Sequence, residues 1–366
     1  MKYLLFILFF NNFIFSQKIL IPMDNTQKDH LKAYGLVYWV LKNEMKVDWS
    51  LNYKNGSFIM NNNNIITKEA LLRGITYQTI NTNDLNQIYA TIDDNNMDIV
   101  LLEKAPKIAV YSPKDKQPWD DAVTLALTYA EIDYDIVFDH EVLAGELSKY
   151  DWLHLHHEDF TGQYGKFYAS FKNATWYKEG KKDSEKLAKK LGYNKVSEAK
   201  LAVAKKIKEF VFRGGFLFAM CSATDSYDIA LAAEGVDICK EMFDGDPMEN
   251  DIDNKLDFSR TLAFKDFSLV KNPNRYEFSS IDATEKRRIN PKIDFFTLFD
   301  FSAKWDPVPT MLCQNHMQVI PGFMGQTTAF RKEFIKSDVL IMGETKARNE
   351  ARYIHGKLGN GTWTFY

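Results

Sequence analysis

A thiol, three imidazoles and several carboxylates stand where short apolar runs give way to polar residues, and the thiol is Cys221. It follows Phe216-Leu-Phe-Ala-Met220, an apolar run bounded by Gly214 and Gly215 and long enough for a buried parallel strand. Ser222-Ala-Thr-Asp-Ser226 comes next, and residues 227–233 then have helical, Ala-rich composition. A strand that turns sharply into a helix places the turn residue at the carboxyl edge of a sheet, beside free N–H groups and positive helix-end potential. A thiol there can have a lowered pKa and act as a nucleophile, with backbone N–H groups as its oxyanion hole. Ser222 and Asp225 become candidate substrate contacts. Two other readings use the same residues. One is a degenerate S-G-G-x-D-S pyrophosphate loop, in which Ala223 and Thr224 replace the glycines that let amides close on a phosphate. The other is a small cysteine packed in an ordinary turn.

His154-Leu-His-His-Glu-Asp159 is the densest run of acid–base groups in the chain. Strand alternation puts His154 and His156 on one face and His157 on the other or in the following loop. His156, His157 and Glu158 are therefore candidates for the base that serves Cys221 and its partners. A zinc site would need a third ligand, such as Glu158, Asp159 or His316, which the spacing does not require, and no metal or other cofactor is expected. Trp119 and Asp120 follow a polar strand end and are expected on the rim of the same crevice. The acids Asp244, Asp246, Glu249, Asp251 and Asp253 do not match a calcium loop and read as a solvated loop. The basic run from Lys181 to Lys190 reads as a solvated helix face.

The elements that must position these groups alternate. Residues 18–22 read as a strand, followed by a helix to Leu41 capped by Asp24 or Asn25. Strands at 47–51, 75–80 and 97–102, with helices at 69–73 and 84–90, complete a small α/β domain over residues 17–105. A second begins with strands at 107–111, 134–138, 151–156 and 216–220, with an amphipathic helix at 197–212. Residues 160–195 read as an insertion, residues 262–296 resist assignment, and 309–313, 318–322, 339–342 and 361–366 read as late strands. This pattern predicts an α/β fold with a doubly wound, mainly parallel sheet over residues 106–366. Ligands in such sheets bind beyond the carboxyl ends of the strands, where the candidate residues lie.

The 366 residues suffice for two domains, and 45% apolar content marks a globular chain. With 46 basic and 49 acidic residues the net charge of −3 gives no electrostatic case for nucleic acid; the expected partner is a small-molecule substrate. Three cysteines are too few for a disulfide framework. Residues 1–16 have a basic start, a short apolar run and Ser16, the pattern of a cleaved export signal. The mature chain is then expected to begin near Gln17 in a secreted or periplasmic setting, off the membrane, where ATP is scarce.

Residues 150–168, Lys18-Ile-Leu-Ile-Pro-Met-Asp24 and Gly325-Gln-Thr-Thr-Ala-Phe-Arg331 resemble bacterial exported proteins labelled asparagine synthetase B. The resemblance implies glutamine-hydrolysing synthetase activity, although Gln17 stands where that chemistry needs a cysteine and Ala223 and Thr224 interrupt the phosphate loop. The region after Pro106 is similar to class I glutamine amidotransferase-like, flavodoxin-like folds, including a trehalose-utilisation-like branch. That similarity implies Cys-dependent amide hydrolysis or transfer, with the catalytic histidine after a late strand such as 361–366. Ala223 departs from it where many such elbows carry glycine. A non-catalytic small-ligand-binding protein on the same fold is the alternative.

Overall fold

The computed structural model describes residues 17–113, 122–283, 294–314, 316–317, 319–322 and 325–366. The chain divides into two units, Met1–Ala105 with Phe301–His316, and Pro106–Asp300 with Met317–Tyr366. The expected export signal, residues 1–16, lies outside the described residues, and among those described no helix is long and apolar enough to cross a membrane.

The first unit runs β1 (Lys18–Ile21), α1 (His30–Lys42), β2 (Val47–Leu51), β3 (Ser57–Asn61), α2 (Asn64–Leu72), β4 (Gln78–Ile80), α3 (Thr82–Asp94) and β5 (Asp98–Leu102). Its sheet has the order β4-β1-β3-β2-β5, and every neighbouring pair is antiparallel. Alternating side chains feed two cores. Ile19, Ile21, Phe58 and Met60 pack with Leu36 and Val40 of α1, whereas Leu20 and Ile59 pack with Ile88 and Ile92 of α3. The cap of α1 is Asp29, which accepts from the Lys32 N–H, rather than Asp24 or Asn25; Asp24 instead closes a turn with the Thr26 N–H at 3.0 Å. Residues 301–316, expected in the second domain, belong to this unit. They carry a helix, Pro307–Leu312, in place of the strand expected at 309–313, because Pro307 suits a first helical position.

The second unit contains β6 (Ile108–Tyr111), α4 (Ala122–Ala130), β7 (Asp135–Val137), α5 (Asp139–Leu143), β8 (Trp152–Leu155), α6 (Tyr168–Phe171), α7 (Thr175–Lys190), α8 (Val196–Phe212), β9 (Phe216–Ala219), α9 (Ser222–Ala232) and α10 (Glu241–Asp244). The strands β10 (Phe295–Leu298), β11 (Ile320–Pro321), β12 (Phe330–Arg331), β13 (Leu340–Thr345), β14 (Glu350–Leu358) and β15 (Gly361–Phe365) follow. The sheet order is β11-β10-β13-β14-β15-β9-β8-β6-β7, with β12 on β14. From β15 to β7 all pairs are parallel, and in chain order these strands lie second, first, third, fourth, fifth across the sheet. The other side, from β14 to β11, is antiparallel, so the sheet is mixed rather than mainly parallel. The sequence reading missed β14 because Arg352 and His355 interrupt its apolar pattern. Arg352 is buried there against Asp294 at 2.6 Å.

All eleven residues of α9 are buried, although five of them are Ser, Thr or Asp. Thr224, Asp225, Ser226 and Asp228 each find a hydrogen-bond partner, as burial requires. The Thr224 hydroxyl donates to the Cys221 carbonyl at 2.6 Å, and the Ser226 hydroxyl to the Glu158 carbonyl at 3.0 Å. The Tyr227 hydroxyl reaches the Ala204 carbonyl of α8 at 3.0 Å. Asp228 accepts the N–H groups of Leu262, Ala263 and Phe264 at 2.7, 2.7 and 3.0 Å, tying residues 262–264 to the helix. Replacing Asp228 by Ala strands three buried donors. Chemical unfolding should show a loss on the order of 3 kcal/mol or more, and Asp228→Asn, which keeps an acceptor, should lose less; equal stability of Asp228→Ala and wild type would refute the anchoring role.

Candidate functional site

Three parallel strands end side by side at one edge of the second unit. Ala219 of β9 is paired with Leu155 of β8 on one side and Phe365 of β15 on the other. Backbone bonds continue past the strands. The Met220 N–H donates to the Leu155 carbonyl at 3.0 Å, and the Cys221 N–H to the Tyr366 carbonyl at 3.1 Å. Cys221 is thus held at the end of β9, and α9 starts at the next residue. Its backbone sits at φ 51°, ψ −139°. A side-chain-bearing residue pays about 1–3 kcal/mol for such a conformation, which persists only where the surroundings impose it. The helix begins at Ser222, so Ser222 to Ser226 form its first turn instead of the polar loop that the sequence suggested.

Cys221 is 6% exposed. Two phenols share its surroundings. Burial and then the charge of a Cys221 thiolate raise Tyr276 above its ordinary value and push Tyr366 up to about 12. The other two thiols are also buried. Desolvation and nearby aspartates raise Cys239 well above the usual range, and desolvation pushes Cys313 up to about 12.

The histidine run follows β8 next to this edge. His154 is fully buried and stacks on Phe218 of β9 at 5.7 Å between ring centroids. His156 and His157 meet edge to face at 4.8 Å, so both belong to the loop after the strand. The Glu158 carboxylate accepts the His156 N–H at 2.9 Å. Burial raises the Glu158 pKa, against the opposing pull of His157, the His156 and Glu158 N–H groups and His154. Behind it, Lys200 donates to both the Tyr111 hydroxyl and Asp139 at 2.8 Å, a buried ion pair beneath the β6 end.

Asp225 is fully buried and its carboxylate is engaged by protein. Thr327 donates to one oxygen at 2.9 Å and Ser279 to the other at 3.3 Å. Thr327 also donates its N–H to Asp282 at 2.9 Å, so two buried carboxylates flank one hydroxyl. Desolvation and the Asp282 charge raise Asp225 well above the carboxylate range. Trp119 and Asp120 lie outside the described residues. Tyr276, Asp282, Thr327 and Lys166 were not singled out from sequence. They come from distant segments with no shared spacing, and only the resemblance-bearing stretches 150–168 and 325–331 drew attention to two of them.

The acids of the expected solvated loop are paired with lysines, Glu249 with Lys255 and Asp253 with Lys271, both at 2.6 Å. Lys195 lies 2.5, 3.0 and 2.6 Å from Asp237, Asp244 and Asp246. Asp237, Asp244 and Cys239 form a ligand-like group among the described residues, but the Lys195 ammonium already sits against both of its carboxylates. Clefts of about 310 and 270 Å³ lie elsewhere, along α8 and around Phe160, and Cys221 lines neither.

No family model and no curated protein matches the chain. Among solved structures it is similar to two cytoplasmic proteins of Salmonella typhimurium, at 11% and 12% identity and TM-scores of 0.34 and 0.35; each match covers 71% of this chain and 86% of that chain. A GH42 beta-galactosidase matches at 10% identity and TM-score 0.29 over 72% of this chain and 27% of its own. Likeness at this level carries no argument about activity.

Lys166 offers a pH test of the site's interior. It is 2% exposed, and desolvation lowers its pKa to about 8, with Asp159 and Glu277 pulling the other way. Above about pH 8 the folded chain has released a proton that the unfolded chain keeps until about pH 10.4. The unfolded state therefore binds more protons across that window, and this group makes stability rise with pH. Relative to Lys166→Met, wild-type stability should climb between pH 8 and 10 by on the order of 1 kcal/mol per pH unit. Parallel pH profiles would contradict a depressed Lys166.

Proposed function

We propose that the second unit is a flavodoxin-like, class I amidotransferase-like domain in which Cys221 attacks the carbonyl of an amide. The strained backbone of Cys221 between a parallel strand and a helix carries this reading. Such an elbow lifts a nucleophile off the strand end and aligns it with the helix N-terminus. The strand order, second-first-third-fourth-fifth, supports the same fold, since ligands in it bind at the carboxyl edge.

In this reading the imidazole of His156 or His157 takes the thiol proton, and Glu158 holds the loop that presents them. The thiolate adds to the carbonyl, and the Ser222 N–H, next after the nucleophile, stabilises the oxyanion. The Ala223 and Thr224 N–H groups are already bound to the Met220 and Cys221 carbonyls at 3.2 and 3.0 Å and take no part. The imidazolium protonates the leaving amine as the thioester forms. Water, deprotonated by the same imidazole, then releases the acid and restores the thiol. The reaction uses no ATP, which suits the exported setting expected from residues 1–16, and the helical first turn at 222–226 leaves no loop to cradle a phosphate.

Iodoacetamide should label Cys221 faster than Cys239 or Cys313, whose raised pKa values keep them as thiols. Peptide mass spectrometry of a time course reads this directly. Amide hydrolysis should fall by about a thousandfold or more in Cys221→Ala, while calorimetry with ATP should give no saturable binding. Hydrolysis that survives Cys221→Ala removes the nucleophile assignment. No hydrolysis of simple amides by wild type, together with slow Cys221 labelling, favours a ligand-binding protein on the same fold; burial of the thiol is what supports that second reading.

A further inference from the structure

Beyond the thiol, one surface of the second unit is paved with rings. Phe167 lies 5.8 Å from Tyr276, 6.0 Å from Phe171 and 6.1 Å from Trp176, and Phe171 lies 5.1 Å from Trp176. Tyr276, Phe171 and Trp176 are 44%, 41% and 53% exposed, so this packed cluster remains open to solvent on one side. Clustered exposed aromatic surface of this kind marks a binding site more often than scattered apolar residues do.

The wall is fastened in place. The Gln326 amide donates to the Tyr276 carbonyl and, at 3.3 Å, to the Gly165 carbonyl, joining the two ring-bearing segments. Lys166 donates to the Val270 carbonyl at 2.7 Å and ties the same segments a second time. Gly165 has φ 70°, and a Cβ there would lie 2.5 Å from the Phe167 ring, so the turn lets that ring fold back over its own backbone. The wall is also tied to the helix that follows the thiol, since Gln326 holds the Tyr276 carbonyl and the next residue, Thr327, donates to Asp225 in the first turn of α9 at 2.9 Å; the charge of Cys221 adds to the raised pKa of Tyr276.

We infer that this wall, formed by Tyr276, Phe167, Phe171 and Trp176, binds a planar apolar ring carried next to the reactive amide, which makes the substrate class aromatic amides. The inference rests on the Cys221 reading for the word amide, but the ring preference stands on the wall alone. Offset or edge-on stacking against several rings favours an aromatic group over a methyl of equal polarity. Specificity then lies in residues 167–176 and 276, and the chemistry in residues 156–158 and 221.

Binding is tested without turnover, in the full chain carrying Cys221→Ala, by calorimetry with N-acetyl-phenylalaninamide and N-acetyl-alaninamide. The phenylalanine amide should bind at least about tenfold more tightly, and adding Trp176→Ala should cut the ratio to about threefold or less. Phe171→Ala should do the same, and circular dichroism checks that each variant is folded. Equal affinities, no binding of either amide, or a ratio that survives both ring substitutions overturns the proposal. Ring preference with no thiol-dependent hydrolysis in wild type removes the nucleophile reading and keeps the wall. Thiol-dependent hydrolysis with no ring preference does the reverse.

Discussion

The candidate site depends on how one backbone N–H is held. Cys221 donates to the Tyr366 carbonyl while Met220, the residue before it, donates to Leu155 on the opposite neighbour. Strands on both sides therefore hold the end of β9, and the chain must enter α9 within a single residue. The Cys221 backbone makes that turn at positive φ while both bonds are kept. The strain is local, and the sheet that imposes it is bonded on both sides of β9.

The helix that follows is an unusual core element. A fully buried helix is ordinarily apolar, yet α9 carries Asp225, Ser226 and Asp228, each bonded to a different distant segment. These bonds select one arrangement of the loops, because a misplaced loop would leave a buried hydroxyl or carboxylate without its partner. The Asp225 and Asp282 carboxylates flanking Thr327 extend the arrangement to residues 279–282 and 326–328. Asp225 thus works on the protein's own loops rather than as an open substrate contact.

Charge is handled differently on the two sides of this unit. The acids at 237, 244 and 246 gather around Lys195, which supplies their cation from within the chain. Near Cys221 the groups are instead phenols, imidazoles and the carboxyls of Glu158 and Asp225, whose pKa values burial raises. An edge with buried carboxyls and exposed rings beside it fits a neutral, apolar substrate better than a phosphate.

Local pattern in the sequence was enough to place the strands at 18–21, 108–111, 152–155 and 216–219, the helix at 196–212, and the break between units near Ala105. These rest on apolar runs and caps a few residues long, which is the range over which sequence pattern acts. It also singled out Cys221 and the 154–159 run as strand ends. What only the tertiary structure decided was pairing. The first sheet is antiparallel, half of the second is too, and residues 301–316 return to the first unit. Parallel and antiparallel strands of similar composition differ in which distant partner they meet, and no local residue records that choice. The same holds for the site. Ser222 joins the helix, and Tyr276, Asp282 and Thr327 gather around α9, because bonds from distant segments override the turn propensity of Ser222-Ala-Thr-Asp-Ser226.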